Sequence, residues 1–72
     1  MVKHAELVRR IRQRAAERQI AWEVAREGGR PTVYRLGNIM IPVPRHTEID
    51  DRLAEQIFRE CEEELGSRWW QR

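Results

Sequence analysis

The chain has 72 residues, 36% charged and 40% hydrophobic, which is the composition of a small folded domain and not of a disordered segment. We expect one domain over residues 1–72, in which residues 66–72 form a tail. No apolar run approaches the roughly 20 residues of a membrane span, and the N-terminal residues continue directly into a charged helical pattern, which predicts no secretory signal. The single cysteine, Cys61, excludes an internal disulfide and fits a reducing cytoplasm.

The formal net charge of +2 conceals an uneven distribution. Residues 1–45 carry a balance of +6, whereas residues 46–72 carry −4. A basic front half attracts phosphate groups, and the guanidinium fork of arginine suits them because it donates two parallel hydrogen bonds. Arginine outnumbers lysine thirteen to one. GC-rich genomes also favour arginine codons, so the excess by itself leaves a functional and a neutral explanation open.

The first predicted element is a helix over residues 3–19. Leu7, Ile11 and Ala15 recur every four residues and form a narrow apolar stripe on one face. Arginines occupy much of the remaining surface, so we expect a basic helix whose stripe packs on the rest of the domain.

Three strands are predicted next, over residues 20–26, 32–36 and 39–43. The first alternates apolar and small or polar residues, as a half-buried strand does. Gly28-Gly29 predicts a turn, and Gly37-Asn38 predicts a tight hairpin between the second and third strands. Pro42 and Pro44 are expected to end the pairing, because proline cannot donate a ladder hydrogen bond.

The last predicted element is a helix over residues 48–65. Thr47 is its expected N-cap, and Gly66 is its expected stop. Its buried stripe is predicted to contain Ile49, Leu53, Ile57 and Cys61, widened by Ala54, Phe58 and Leu65.

The order of these elements predicts an α+β fold, an α-β-β-β-α sandwich. In such a sandwich both helices pack on one face of a three-stranded antiparallel sheet, because the helices and the sheet each have one apolar face to bury. Double-stranded-RNA-binding domains have this architecture.

The segment Gly28–Ile49 combines a Gly-Gly turn, a Thr-Val-Tyr strand and an Ile-Pro-Val-Pro-Arg-His exit. With the length and element order of the whole chain, it resembles the HicA toxins, small RNA-cleaving proteins of bacterial toxin–antitoxin pairs. The resemblance implies a cytoplasmic, metal-independent and cofactor-free endoribonuclease that cuts messenger RNA and binds a HicB-type antitoxin protein.

The family places its catalytic histidine in a Ser-His or similar pair after the glycine turn. The matching positions are Arg30 and Pro31. If Tyr34 and Leu36 face the helices, position 31 lies on the open face of the sheet. Proline cannot transfer a proton, and loss of a general acid or base typically costs about 10²–10⁴-fold in rate. Pro31 is also an ordinary residue with which to open a strand after a turn.

Other reactive side chains are weaker candidates. His46 follows Arg45 and is a possible substitute for the missing catalytic histidine, although a residue just before a helix more often only shapes its entry. His4 is expected to be a surface residue, and Cys61 a buried, inert thiol. The histidines and the cysteine are isolated in sequence, so we expect no metal site.

The basic residues are the best remaining functional signal. A phosphate-binding surface for RNA is predicted from Arg9, Arg10, Arg12, Arg14, Arg30, Arg35 and Arg45. An ordinary solvated helix face explains the arginines of the first helix nearly as well.

Trp69-Trp70 follows the expected helix stop. The pair could stack on bases or fill a groove of a partner, but burial against this domain or a partner is favoured. The sequence thus predicts a HicA-like, RNA-binding toxin-family protein in which Pro31 replaces the catalytic histidine. The alternatives are an inactive RNA-binding or antitoxin-binding module and an unrelated protein-interaction domain.

Overall fold

A computed structural model describes residues 1–28 and 31–71. The fold is α+β, with the predicted order of helix, three-stranded antiparallel sheet and helix. The elements in chain order are β1 (Val2–Lys3), α1 (His4–Glu17), β2 (Trp22–Arg26), β3 (Thr32–Leu36), β4 (Ile39–Val43), β5 (Glu48–Ile49), α2 (Asp51–Glu60) and α3 (Glu62–Leu65).

The main sheet has the strand order β2-β3-β4, and every pair is antiparallel. The hairpin turn lies at Gly37-Asn38, as predicted. Gly37 has φ of 59°, and a Cβ there would approach the Glu64 carboxylate to 2.6 Å. The same carboxylate accepts a hydrogen bond of 3.1 Å from the amide of Asn38. Glycine is therefore favoured by the positive φ of the turn, and a larger residue would displace the Glu64 carboxylate from this hydrogen bond.

The two faces of the sheet differ as the alternation in β3 predicts. Leu36 and Thr32 are buried and Tyr34 packs against the core, whereas Arg35 is exposed. The residues at 32, 34 and 36 therefore face the helices, and Val33 and Arg35 face away from them.

Both helices bury their apolar residues against the inner face of the sheet. The core is one cluster whose members come from α1, β3, β4, β5, α2, α3 and the Cys61 junction: Leu7, Ile11, Ala15, Leu36, Ile41, Val43, Ile49, Ala54, Ile57, Phe58, Cys61 and Leu65. The buried hydrophobic residues of the described chain thus belong to one cluster.

The first helix ends earlier than predicted, and this delays the first strand. Gln19 has φ of 58°, and the amide of Ile20 donates to the carbonyl of Ala15 at 2.8 Å. Together these form a helix-ending turn of the Schellman type, so Ile20 belongs to the turn and β2 begins at Trp22. Val24 is 47% exposed because β2 is an edge strand.

Pro42 does not end the strand pairing, contrary to expectation. Pairing continues past it to Val43, which lies opposite Thr32. The reason is that β4 is an edge strand, so one row of its backbone groups has no neighbouring strand and proline is tolerated.

The second helix begins later than predicted, and Thr47 is not its N-cap. Asp50 is the N-cap, and its carboxylate accepts a hydrogen bond of 3.1 Å from the amide of Arg52. Leu53, which was expected in the buried stripe, is 36% exposed, because the stripe is centred on Ala54, Ile57, Phe58 and Cys61 and Leu53 lies at its edge. Helix α2 ends at Glu60, and a separate short turn, α3, ends at the predicted stop, Gly66, with φ of 98°.

A short two-strand ladder was not predicted. Val2 lies opposite Ile49 and Lys3 opposite Glu48, so the start of the chain pairs with the segment before α2. The N-terminal ammonium group also forms an ion pair of 3.0 Å with Asp51. Within the described part of the chain, none of the helices has the length and apolar character required to traverse a lipid bilayer.

Candidate functional site

Pro31 lies directly before β3 and is exposed. Although it is fourteen positions from Arg45 in sequence, the antiparallel pairing of β3 with β4 brings the start of one strand beside the end of the other. Both residues line an open cleft of about 660 Å³, together with Pro44 and His46. We refer to this as the proline cleft.

A second cleft adjoins the same loop. It has a volume of about 300 Å³ and is lined by Lys3, His4, Ala5, Arg45, His46 and Thr47. We refer to it as the histidine cleft. Because Arg45 and His46 line both clefts, the loop after β4 connects two concave surfaces that the sequence alone does not associate.

Backbone contacts hold the two sides of the histidine cleft together. The amide of His4 donates to the carbonyl of Thr47 at 2.8 Å, next to the ladder between β1 and β5. The loop between β4 and β5 covers residues 44–47, and the buried side chains of Val43 and Ile49 lie in the strands that flank it. The candidate residues therefore lie on a short loop fixed at both ends, which favours a preformed site.

The electrostatic character of the clefts is basic. Their walls contain Lys3, Arg45 and two histidines, and no aspartate or glutamate among the described residues that line them. Helix α1 begins at the histidine cleft, and its N-cap residue, Lys3, makes no side-chain capping hydrogen bond. The positive end of the helix dipole therefore adds to the positive potential here.

His4 is not the surface residue that the sequence predicts. It is half-buried, and its Nε2 atom is buried without a hydrogen-bond partner among the described residues. The position of His4 at the start of a helix did not predict its burial, because that burial depends on the ladder between β1 and β5. A buried polar atom without a partner costs about 1–3 kcal/mol.

The arginines of α1 do not form one continuous surface. At about 100° per residue, Arg10 and Arg14 lie on one flank and Arg9 and Arg12 on another. Arg9 pairs with Glu6 at 2.5 Å, and Arg14 pairs with Glu17 at 3.1 Å. The Arg9 guanidinium lowers the pKa of the Glu6 carboxyl through this hydrogen bond.

Arg10 serves the packing of the tail. Its guanidinium donates to the carbonyl of Trp70 at 2.7 Å and lies 5.0 Å from the centre of the Phe58 ring. Trp69 packs edge-on against Phe58 at 5.1 Å between centroids and donates from Nε1 to the Phe58 carbonyl at 2.8 Å. The tail thus packs against its own domain, as favoured from the sequence. We call Arg10, Phe58, Trp69 and Trp70 the tail cluster.

The two remaining predicted phosphate contacts differ in position. Arg35 lies on the outer face of the sheet, where its Nε and Nη2 atoms donate to Oε2 of Glu23 at 3.1 and 2.5 Å. It therefore already has a carboxylate partner. Arg30 lies outside the described residues.

Cys61 is fully buried at the junction of α2 and α3. Burial, with a smaller contribution from the charge of Glu60, raises the pKa of its thiol to about 12. At neutral pH the group is therefore a protonated core side chain and not a nucleophile. Among residues 1–28 and 31–71 there is also no group of three acidic, histidine or cysteine side chains with which to hold a metal ion.

Comparisons with known proteins found no match to a family model, a curated protein or a solved structure. The functional assignment therefore depends on the residues and the geometry of the two clefts.

Proposed function

We propose that this chain is a cytoplasmic RNA-binding protein of the HicA toxin type, in which the catalytic position of that family is held by proline. The supporting observation is the proline cleft. It contains Pro31, the position where the resemblance expects the catalytic histidine, together with Arg45 and His46 of the Pro-Arg-His exit. These residues are far apart in sequence but share one concave, basic surface.

The chemistry of RNA cleavage explains why Pro31 matters. Attack by a 2′-hydroxyl on the neighbouring phosphorus requires one group to accept the hydroxyl proton and another to protonate the departing 5′-oxygen. Imidazole suits both roles because its pKa lies near the working pH, whereas proline has no group that exchanges a proton. The cleft therefore retains groups that bind phosphate but lacks the strand histidine.

Cleavage of a long unstructured RNA in the presence of a chelator tests this proposal. We expect the Pro31→His variant to cut and the unaltered protein to be about 10²–10⁴-fold slower. Pro31→Gln is the matched control, because it removes the proline without adding an imidazole, and it should remain inactive. Cutting by the unaltered protein at a rate similar to that of Pro31→His would overturn the role of position 31 and make His46 the residue to test.

RNA binding is a separate measurement. We expect affinity for single-stranded RNA to fall as salt rises, by a logarithmic slope of about −0.7 for each phosphate contacted. Arg45→Gln should weaken binding and reduce the slope. Arg12→Gln, on the exposed flank of α1, removes the same charge outside both clefts and should have the smaller effect. No salt-dependent binding would contradict the proposal.

The second candidate is a binding module for a HicB-type antitoxin without RNA-directed activity. The observation that favours it is the outer face of the sheet, where Met40 is 56% exposed and Val33 and Pro42 lie beside it. Exposed apolar side chains on an uncovered sheet face are typical of protein contacts. Co-elution with a HicB-type protein that is lost in Met40→Lys, without any RNA binding, would favour this candidate.

A further inference from the structure

The outer face of the main sheet is more apolar than a solvated face usually is. In an antiparallel sheet that has water on one side, the outward positions are typically polar. Val33 lies opposite Pro42, and Arg35 lies opposite Met40, so three of these four outward positions are apolar. Met40 is 56% exposed, and Pro42 is also exposed. This pattern is typical of a surface that another molecule covers.

The other large apolar side chains that are exposed in the described chain do not form a comparable surface. They are Met1, Val24 and Leu53. Met1 precedes β1, Val24 lies on the helix side of the edge strand β2, and Leu53 lies on α2. Exposed apolar residues that are scattered singly are ordinary, so the outer face is the surface that requires a partner.

We propose that the outer face binds the outer face of a second copy of this chain, which gives a weak symmetric dimer with its two sheets packed face to face. This inference goes beyond the proposed function, because it concerns a surface and a partner that RNA binding does not require. The choice of a second copy rests on the charges of β2.

Strand β2 contributes one negative and one positive side chain to the outer face. Glu23 lies opposite Arg35, and a bulge between Val24 and Arg26 places Arg26 opposite Val33. Without the extra residue, regular alternation from Glu23 would turn Arg26 toward the helices. The bulge therefore places two opposite charges on one face of the same strand.

These two charges are complementary to themselves under one particular two-fold rotation. The axis lies in the interface, at right angles to the strands, between the row of Glu23 and the row of Arg26. It places Glu23 of each copy against Arg26 of the other, and Met40 against Pro42. A two-fold axis along β3 would instead place Arg35 against Arg35, and like charges in contact oppose association.

Both charged groups have capacity for a second copy. Arg35 donates only to Oε2 of Glu23, and Oε1 accepts no hydrogen bond from the other described residues. Arg26 is exposed and makes no hydrogen bond or ion pair with the described part of the chain. The guanidinium of Arg26 from a second copy can therefore pair with Glu23 without displacing Arg35.

The size of the face predicts a weak dimer. Three strands of five residues cover about 15 Å by 17 Å. Each copy therefore buries less than the roughly 800 Å² that a standard stable interface takes from each partner. We expect a dissociation constant on the order of 100 µM, which is the range of transient association.

Sedimentation equilibrium from about 10 µM to about 1 mM measures this association, since the range spans the expected dissociation constant. We expect the average mass to rise from 8.7 kDa toward twice that value. Met40→Lys should weaken dimerisation at least about tenfold, because it places a charge in the apolar part of the interface. Val24→Lys is the matched control, because Val24 has similar exposure but lies on the other face, and it should leave dimerisation unchanged.

Charge reversal tests the arrangement of the two copies. Glu23→Arg brings arginines together at the facing positions, and Arg26→Glu brings glutamates together, so each variant alone should dimerise more weakly. An equimolar mixture of the two should form a heterodimer, because opposite charges then face each other at both positions. Arg12→Glu makes the same charge change on α1, and it should bind Glu23→Arg no more strongly than the unaltered protein does. Thermal unfolding confirms that each variant is folded.

The outcomes separate self-association from the proposed function. A single species of monomer mass up to about 1 mM would overturn the dimer, as would dimerisation that Met40→Lys leaves unchanged. A mixture of the charge variants that forms no heterodimer would overturn the proposed arrangement. Binding of a HicB-type protein by a chain that does not self-associate would assign the face to the second candidate function and overturn the dimer. A dimer that has no affinity for RNA would support this inference and overturn only the proposed function.

Discussion

The histidine cleft and the tail cluster both place positive charge beside the first helix, but they use it differently. In the tail cluster, Arg10 donates to the Trp70 carbonyl and covers the Phe58 ring. In the histidine cleft, Lys3 and His4 line an open surface that has no carboxylate among its described walls. An arginine count cannot separate these roles. Their difference lies in the surroundings of the cation: the Arg10 guanidinium is held by the tail, whereas Lys3 is exposed at the edge of a cleft.

The contrast also explains why a basic helix is a poor guide to a binding surface. Arg9, Arg10 and Arg14 each have an acceptor within this chain, whether a carboxylate or a carbonyl. The ion pairs of Arg9 and Arg14 contribute little to stability, yet they lower the local positive potential. The loop after β4 carries fewer basic residues, but it lies at two clefts with basic walls.

The largest expected effect concerns Cys61, which reports whether the core at the junction of α2 and α3 is closed. Because burial raises the pKa of the thiol to about 12, its thiolate is on the order of a thousand times scarcer than that of an exposed cysteine. Reaction with a disulfide reagent at pH 8 should therefore be slower by at least that factor and should become fast in denaturant. Rapid reaction of the folded protein would show that this region opens readily.

Trp69→Ala should lower the free energy of unfolding by about 2–3 kcal/mol, because it removes packing on Phe58 and the hydrogen bond from Nε1. Urea denaturation measures the change. Met40→Ala, on the outer face of the sheet, is the control and should change stability by less than about 0.5 kcal/mol. RNA affinity of folded Trp69→Ala should be unchanged, and a large loss would move the binding surface to the tail.

Arg10→Gln and Arg12→Gln form a matched pair on one helix. Arg10→Gln should destabilise the protein by about 1–2 kcal/mol, since it removes the contact with the Phe58 ring and the hydrogen bond to Trp70. Arg12 is exposed and makes no such contact within the described residues, so its replacement should have almost no effect. Equal losses in the two variants would mean that the tail cluster does not depend on its guanidinium.

The smallest expected effects are two exposed ion pairs with opposite pH dependence. Arg9 lowers the pKa of Glu6, so that contribution is present at neutral pH and is lost as pH falls through the folded-state pKa. Asp51 raises the pKa of the Met1 ammonium group, chiefly through a hydrogen bond, so that contribution is lost as pH rises through the folded-state pKa. The thermal midpoint is measured against pH. In Glu6→Gln its decrease towards acid pH should be smaller than in the unaltered protein. In an N-terminally acetylated protein its decrease towards alkaline pH should be smaller.

The sequence predicted the central hairpin with its bounds because Thr32–Leu36 and Ile39–Val43 alternate regularly about a Gly-Asn turn. It missed the ladder between β1 and β5, since strands of two residues have no periodicity. The start of α2 was predicted too early because Thr47 and Asp50 both have side chains that can cap a helix.

The candidate site was predictable only in part. Pro31, Arg45 and His46 were selected from the sequence, and the pairing of β3 with β4 brings them to one cleft. His4 could not be selected, because its burial depends on the contact between the chain start and Thr47. The arginines of α1 were selected by charge alone, and charge does not reveal which acceptors the folded chain brings to them.

The most direct test of the account is a map of amide chemical shifts during titration with a 2′-O-methyl oligouridylate of about ten nucleotides, which resists cleavage. We expect the largest changes at Arg45 and His46, with little change at Trp69 and Trp70. Changes concentrated at the two tryptophans and Arg10, with the loop after β4 unaffected, would contradict the assignment of the proline cleft as the RNA-binding surface.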